Sequence, residues 1–223
     1  MPTRHSDLEA RRTAQERRRT PVQARSQRTL ENILSAATDI LLESGLPALN
    51  TNAIATRAGI NVSTLYSYFP DKLAIVHELS ARFDGMRDTF LAEHLRELAT
   101  AEEWRQHVAG VIEGLVRFRV EVPGSAALRR ALCAMPETEG EVIAAVRRTA
   151  NLVAAALCRR NGELDREHAE LVSLIVSELV SRMLDLAFYV EPYDRAVVRE
   201  IICLTQRYLA PYLDGCPPLP ATD

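Results

Sequence analysis

Apolar residues return at three- and four-residue steps along most of the chain, and no stretch of useful length alternates apolar with polar as a half-buried strand would. The first such run, Ile33, Leu34, Ala37, Ile40 and Leu41, predicts a helix over about 22–44, closed by Gly45 just past its C-terminus. Two short helices follow. Thr51, with Asn50 beside it, is placed to cap the first, whose Ile54, Ala55 and Ala58 share one face. Gly59 stands where the chain leaves that helix and needs positive φ; Asn61 caps the second helix and Pro70 stops it. Val62, Leu65 and Phe69 make the apolar stripe of the second helix. A long helix over about 71–99 comes next, then helices at about 102–121, 125–134, 138–160, 165–190 and 193–213. Pro123-Gly124, Pro136, Asn161-Gly162 and Pro192 mark the breaks between them. The pattern is all-α: a three-helix N-terminal helix-turn-helix domain followed by a helical bundle.

The polar side of the second short helix carries Ser63, Thr64, Ser67 and Tyr68, with Tyr66 at its margin. An ordinary surface helix would show Glu, Lys and Arg there. Hydroxyls with almost no charge, behind a glycine turn, suit a helix that lies in a DNA groove and bonds phosphates and base edges. Lys72, the only lysine of the chain, falls in the first turn of the long helix. A cation there opposes the helix dipole by about a few tenths of a kcal/mol, and a DNA phosphate shared with the helix N-terminus removes the conflict. Arg25 and Arg28, near the edge of the domain, are candidates for further phosphate contacts. Arginines at positions 4, 11, 12, 17, 18 and 19 make residues 1–21 a flexible basic arm, able to follow the phosphate backbone or enter the minor groove.

From Arg28 to Leu73 the chain resembles the N-terminal domain of the TetR/AcrR family of transcriptional repressors. The matching pieces are ILSAATDILLESG (33–45), IATRAG (54–59), TLYSYF (64–69) and DK (71–72), in the order and spacing of the family. Asn61 replaces the usual serine, a change of one cap for another. Ser63 stands where the family often has glycine and adds a hydroxyl at the start of the recognition helix. The resemblance implies a DNA-binding site formed by Arg25, Arg28, Thr51, Asn61, Ser63, Thr64, Tyr66, Ser67, Tyr68 and Lys72. Ser63 and Tyr68 are the expected base readers, and Thr51, Thr64, Tyr66 and Lys72 the expected phosphate contacts. It also implies a homodimer through the last two long helices, about 165–213, which pair with their copies as a four-helix bundle. Apolar residues on more than one face of those two helices agree with that. A double-stranded inverted-repeat operator and a small-molecule effector are the implied partners.

Charge sharpens this division. The chain of 223 residues has a net charge of −3, but residues 1–72 carry ten basic and seven acidic side chains, leaving 17 basic and 23 acidic for the rest. A basic head on an acidic body fits a DNA-binding domain, 22–72, joined to an effector-binding and dimerisation domain, 73–213, with a loose proline-rich tail at 214–223. Cys133, Cys158, Cys203 and Cys216 are far apart and read as free thiols; a redox pairing of Cys133 with Cys158 is the lesser alternative. The most apolar stretch, Leu171 to Val190, contains Glu178, Arg182 and Asp185, which excludes a comfortable membrane span. No apolar run follows the basic N-terminus as in a signal peptide, so a cytoplasmic protein is expected.

The effector pocket is expected where the long helix meets the bundle. Phe83, Met86, Phe90, Trp104, Val111, Phe118, Met135, Met183 and Phe188 are its candidate lining, which would select a mainly apolar molecule. No enzyme motif competes with this. His77-Glu78 begins like a HExxH zinc helix, but Ala81 stands where the second histidine would be, and the five histidines show no ligand spacing. No catalytic residue, metal or cofactor is expected. A ligand-responsive repressor is therefore weighed against a helical small-molecule or protein-binding module whose helix-turn-helix no longer binds DNA. The intact hydroxyl face, the placement of Lys72 and the basic arm favour the repressor.

Overall fold

The computed structural model describes the backbone of residues 4–215 and the side chains of residues 24–215. Among the described residues the regular elements are all helical. The chain divides into two compact units, Met1–His77 and Glu78–Asp223.

The first unit contains α1 (Arg4–Ser44), a 3₁₀ turn (Leu46–Ala48), α2 (Thr51–Arg57), α3 (Val62–Tyr66) and the start of α4 (Lys72–Leu98). α1 takes in residues 4–21, assigned above to the arm, and the arginine side chains of that stretch lie outside the described residues. Ile33, Leu34, Ala37, Ile40 and Leu41 are all buried, together with Leu49, Ile54, Ala55, Leu65, Phe69, Ile75 and Val76. A fully buried Leu or Ile contributes about 1.5–3 kcal/mol through the surface it removes from water, so this small core is enough to fix three short helices. One expected cap moves by a residue. Asn50, in extended conformation, caps α2 by accepting from the Ala53 amide at 2.9 Å, and Thr51 becomes the first helical residue. An N-cap needs extended backbone with its oxygen aimed at an amide two or three residues on, and Asn50 satisfies both. Asn61 caps α3 as expected, accepting from the Ser63 amide. Gly59 has φ of 68°, and a Cβ there would meet nothing within 4 Å, so the turn needs glycine for its backbone angle rather than for space.

The second unit continues α4 and adds α5 (Trp104–Glu121), α6 (Ser125–Ala134), a 3₁₀ turn (Pro136–Thr138), α7 (Glu139–Arg160), α8 (Arg166–Ala187) and α9 (Arg195–Leu213). Its core gathers Leu91, Leu95 and Leu98 of α4 with apolar faces of α5, α7, α8 and α9. α7 packs most extensively on α8, and α8 on α9. Polar ties close the ends of the bundle. Arg160 donates to the carbonyls of Leu98, Ala101 and Leu213, placing a cation where α4 and α9 run out of amide donors. The Trp104 indole N–H and the Arg105 guanidinium both donate to Asp214, and these two bonds hold its carboxyl below the usual carboxylate range. α5 and α4 approach through Phe90, whose ring lies where a Cβ on Gly114 would be.

Candidate nucleic-acid interface and internal chamber

α3 presents its hydroxyl side outward. Ser63, Thr64, Tyr66 and Ser67 are exposed, while Leu65 and Phe69 anchor the opposite side in the core. The hydroxyls are ordered by one another. Thr51 Oγ1 and the Tyr66 hydroxyl lie 3.1 Å apart, joining the first turn of α2 to α3. Ser26 of α1 and the Tyr68 hydroxyl lie 3.1 Å apart, which brings the turn carrying Arg25 and Arg28 beside the end of α3. Ser63 Oγ donates to Asn61 Oδ1 at 3.0 Å, and Ser67 Oγ donates to the Thr64 carbonyl at 2.6 Å. Arg25, Arg28 and Lys72 are exposed. Asp71 caps α4 through the Ala74 amide, leaving Lys72 in its first turn. No acidic residue occurs between Ser44 and Pro70. Of the two carboxylates that flank this stretch, Glu43 is held by both terminal nitrogens of Arg57 and Asp71 by the α4 cap. The Glu43–Arg57 hydrogen bond pushes Glu43 below and Arg57 above their ordinary pKa values. The surface that results is rich in donors and acceptors, and residues 45–70 add no negative charge to it, which favours approach to a phosphate backbone.

The second unit contains a partly open chamber of about 130 Å³. Of the nine aromatic, methionine and valine candidates, Val111 and Phe118 line it. Phe83 stands edge-on to Phe118, centroids 6.4 Å apart, beside an adjoining cleft. Phe90 occupies the notch over Gly114, and Trp104 is buried with its indole tied to Asp214. Met183 and Phe188 pack against the core, Met135 is half-buried at the end of α6, and Met86 is exposed. Most of the wall is aliphatic: Leu91, Leu95 and Leu98 of α4, with Val108, Ile112 and Leu115 of α5. α7, α8 and α9 supply the remainder.

Its polar members had not been expected. Arg87, Arg119 and Arg129 line the chamber, as do the hydroxyls of Thr149, Ser177, Ser181 and Thr205. Asp185 of α8 bonds Arg119 at 2.9 Å and Arg129 at 2.8 Å, and Arg129 also donates to Ser181 at 3.0 Å. These three charged side chains are 14–18% exposed. Burial pushes Arg119 below its ordinary pKa; Asp185 opposes that and the charge of Arg129 adds to it. Burial also weighs on Arg129, but its several bonds to Asp185 outweigh it and leave this guanidinium raised. Arg87 is paired with Asp84 and Asp88, which Arg148 of α7 also bridges. Cys133 is exposed, Cys158 is half-buried, and both are free. No group of His, Cys, Asp or Glu among the described residues could hold a metal ion.

Known proteins agree with both units. Residues 33–79 match the family described as bacterial regulatory proteins, tetR family, and residues 103–209 match the tetracyclin repressor-like C-terminal domain. An uncharacterized HTH-type transcriptional regulator of Bacillus subtilis (strain 168), YdeS, is 40% identical over 52 residues, covering 23% of this chain and 26% of that protein. The match thus spans about a quarter of the relative's length. Among solved structures, a TetR-family transcriptional regulator from Streptomyces coelicolor is 25% identical with a TM-score of 0.61, covering 83% of this chain and 99% of that one. A regulator assigned to the same family from Mesorhizobium loti MAFF303099 shares the fold at 17% identity and a TM-score of 0.65, covering 83% and 97%. With the helix-turn-helix in one unit and the regulatory bundle in the other, the chain belongs to the TetR family of DNA-binding transcriptional regulators, which are not enzymes.

Proposed function

We propose that this regulator is a repressor that binds an inverted-repeat operator as a homodimer and is released by a small, mainly apolar effector. The observation that carries the DNA-binding half is the outward face of α3, where exposed hydroxyls are held by Asn61, Thr51 and Ser26, with Lys72 close in sequence and no carboxylate within residues 45–70. One recognition helix reads only a few base pairs. Two related by a two-fold axis, about 34–36 Å apart or a multiple of that, read an inverted repeat. The dimer is supported by α8 and α9, which leave Leu171, Ile175, Leu186 and Leu204 between 44% and 55% exposed. Monomers seldom leave so much aliphatic surface on two neighbouring helices. The chamber supports the effector. A ligand that prefers one separation of the two recognition helices shifts operator affinity, by a coupling of about 1–3 kcal/mol in typical cases. The site of action would be the cytoplasm, beside the DNA; no helix among the described residues is long and apolar enough to cross a membrane.

A fluorescence or gel-shift titration against the DNA upstream of the protein's own gene, at two salt concentrations, tests this reading. Tight binding to an inverted repeat that weakens steeply with salt is expected. Absence of binding at low salt would leave the bundle as the functional part and the alternative, a helical binding module, in its place.

A further inference from the structure

The chamber is apolar over most of its wall, yet each ionisable side chain lining it is a guanidinium. Two of these, Arg119 and Arg129, share one carboxylate, Asp185, so the trio carries one net positive charge with little exposure to water. The other acidic groups at this end stand outside the chamber wall, with Asp84 and Glu141 in the adjoining cleft. Asp84 and Asp88 lie between Arg87 and Arg148, and Glu141 faces the adjoining cleft with an interaction of its own. An unpaired buried cation is costly, and an arginine pair offers the planar fork that matches a carboxylate. A second feature points the same way. Ser177 and Thr205 are 6% and 4% exposed, line the chamber, and have hydroxyl oxygens without a hydrogen-bond partner. Helical Ser and Thr ordinarily bond the carbonyl four residues back, so buried hydroxyls left free call for an outside partner. Ser177 lies one helical turn, about 5.4 Å, from Ser181, which holds Arg129. The volume of about 130 Å³ is close to the roughly 150 Å³ that takes a benzene ring, and the chamber continues at Arg119 and Arg129 into the adjoining cleft, which leaves a carboxylate room beyond the ring.

We propose that the chamber binds a small monocarboxylate whose apolar body is about the size of one six-carbon ring and carries a second oxygen, with the carboxylate at Arg119 and Arg129 and the oxygen at Ser177 or Thr205. This rests on the effector reading and gives the effector a chemical class.

The test is direct binding to the full chain without DNA, by calorimetry and thermal shift, using 4-hydroxybenzoate, benzoate, phenol and benzyl alcohol as probes. 4-Hydroxybenzoate should bind most tightly, benzoate about five-fold more weakly, and the two neutral probes at least about ten-fold more weakly than benzoate. Arg119→Gln should abolish the preference for carboxylates while leaving phenol binding unchanged. Ser177→Ala with Thr205→Val should bring 4-hydroxybenzoate down to benzoate without lowering the melting temperature. Neutral probes that bind as well as the carboxylates would overturn the proposal, as would a 4-hydroxybenzoate advantage that survives loss of both hydroxyls, or no binding of any probe. The comparison of probes on the unaltered protein stands even if Arg119→Gln fails to fold. Because binding is read without DNA, failure here is distinct from failure of operator binding.

Discussion

Ser63 spends its proton on Asn61 Oδ1 and Ser67 spends its own on the Thr64 carbonyl, so both offer outward lone pairs rather than donors. In the major groove an acceptor pairs with the amino group of cytosine or adenine, which gives Ser63 a definite preference. Ser63→Ala should therefore change the rank order of bases at one operator position, read by titrating a set of single-base operator variants. Lys72→Ala should weaken all those operators alike and reduce the slope of log affinity against log salt by about 1. An unchanged slope would remove Lys72 from the phosphate contacts. Much of this residue-scale arrangement was legible, because caps, turns and hydroxyl faces are local. Asn61 and Gly59 behave as their positions in the sequence require. The first cap fell to Asn50 rather than Thr51 because two good capping residues stand side by side, and only the backbone at 50 decides between them. The Thr51–Tyr66 and Ser26–Tyr68 pairs join residues 15 and 42 positions apart, a distance no local pattern carries.

Among the elements, α4 and α5 make their contact at a point of minimum bulk. Phe90 lays its ring on Gly114, filling the space a Cβ would take. Gly114→Ala would gain up to about 1 kcal/mol of helix propensity, but it forces an aromatic ring out of a packed site, a cost of about 1–3 kcal/mol. A lower melting temperature is expected, and a rise would show that the ring can move aside without strain. Helix boundaries were readable from apolar spacing and from the Pro and Gly breaks: α6 was placed at 125–134 and is observed at Ser125–Ala134. The chamber was less readable. Large aromatic and sulfur side chains were the natural candidates, yet Trp104 and Phe90 serve packing while aliphatic residues and arginines form much of the wall. Size shows that a residue is buried but not whether it borders space. The usable signal was polar: Ser177 follows the buried Ser173 by one turn on the inner side of α8, and Thr205 interrupts the buried apolar side of α9.

At the scale of the whole molecule, the apolar excess of the last two helices was visible in sequence, and the structure places Leu171, Ile175, Leu186 and Leu204 in contact with water in the single chain. Ile175→Arg should disrupt self-association, seen as a monomer by sedimentation, and should lower operator affinity by losing the second recognition helix. Dimers that survive with normal affinity would move the interface elsewhere. A net charge of −6 on residues 73–223 against +3 on residues 1–72 further disfavours DNA along the body of each copy, and this asymmetry needed nothing beyond the sequence. One feature of the head reaches into chemistry of another kind. Lys72 is the sole lysine, every other fixed cationic side chain being an arginine. Apart from an α-amino group, the protein thus presents one primary amine, exposed at the first turn of α4. An amine-selective acylating dye will mark that position, and protection of Lys72 from the dye by bound DNA turns the composition of the chain into a footprint of its recognition surface.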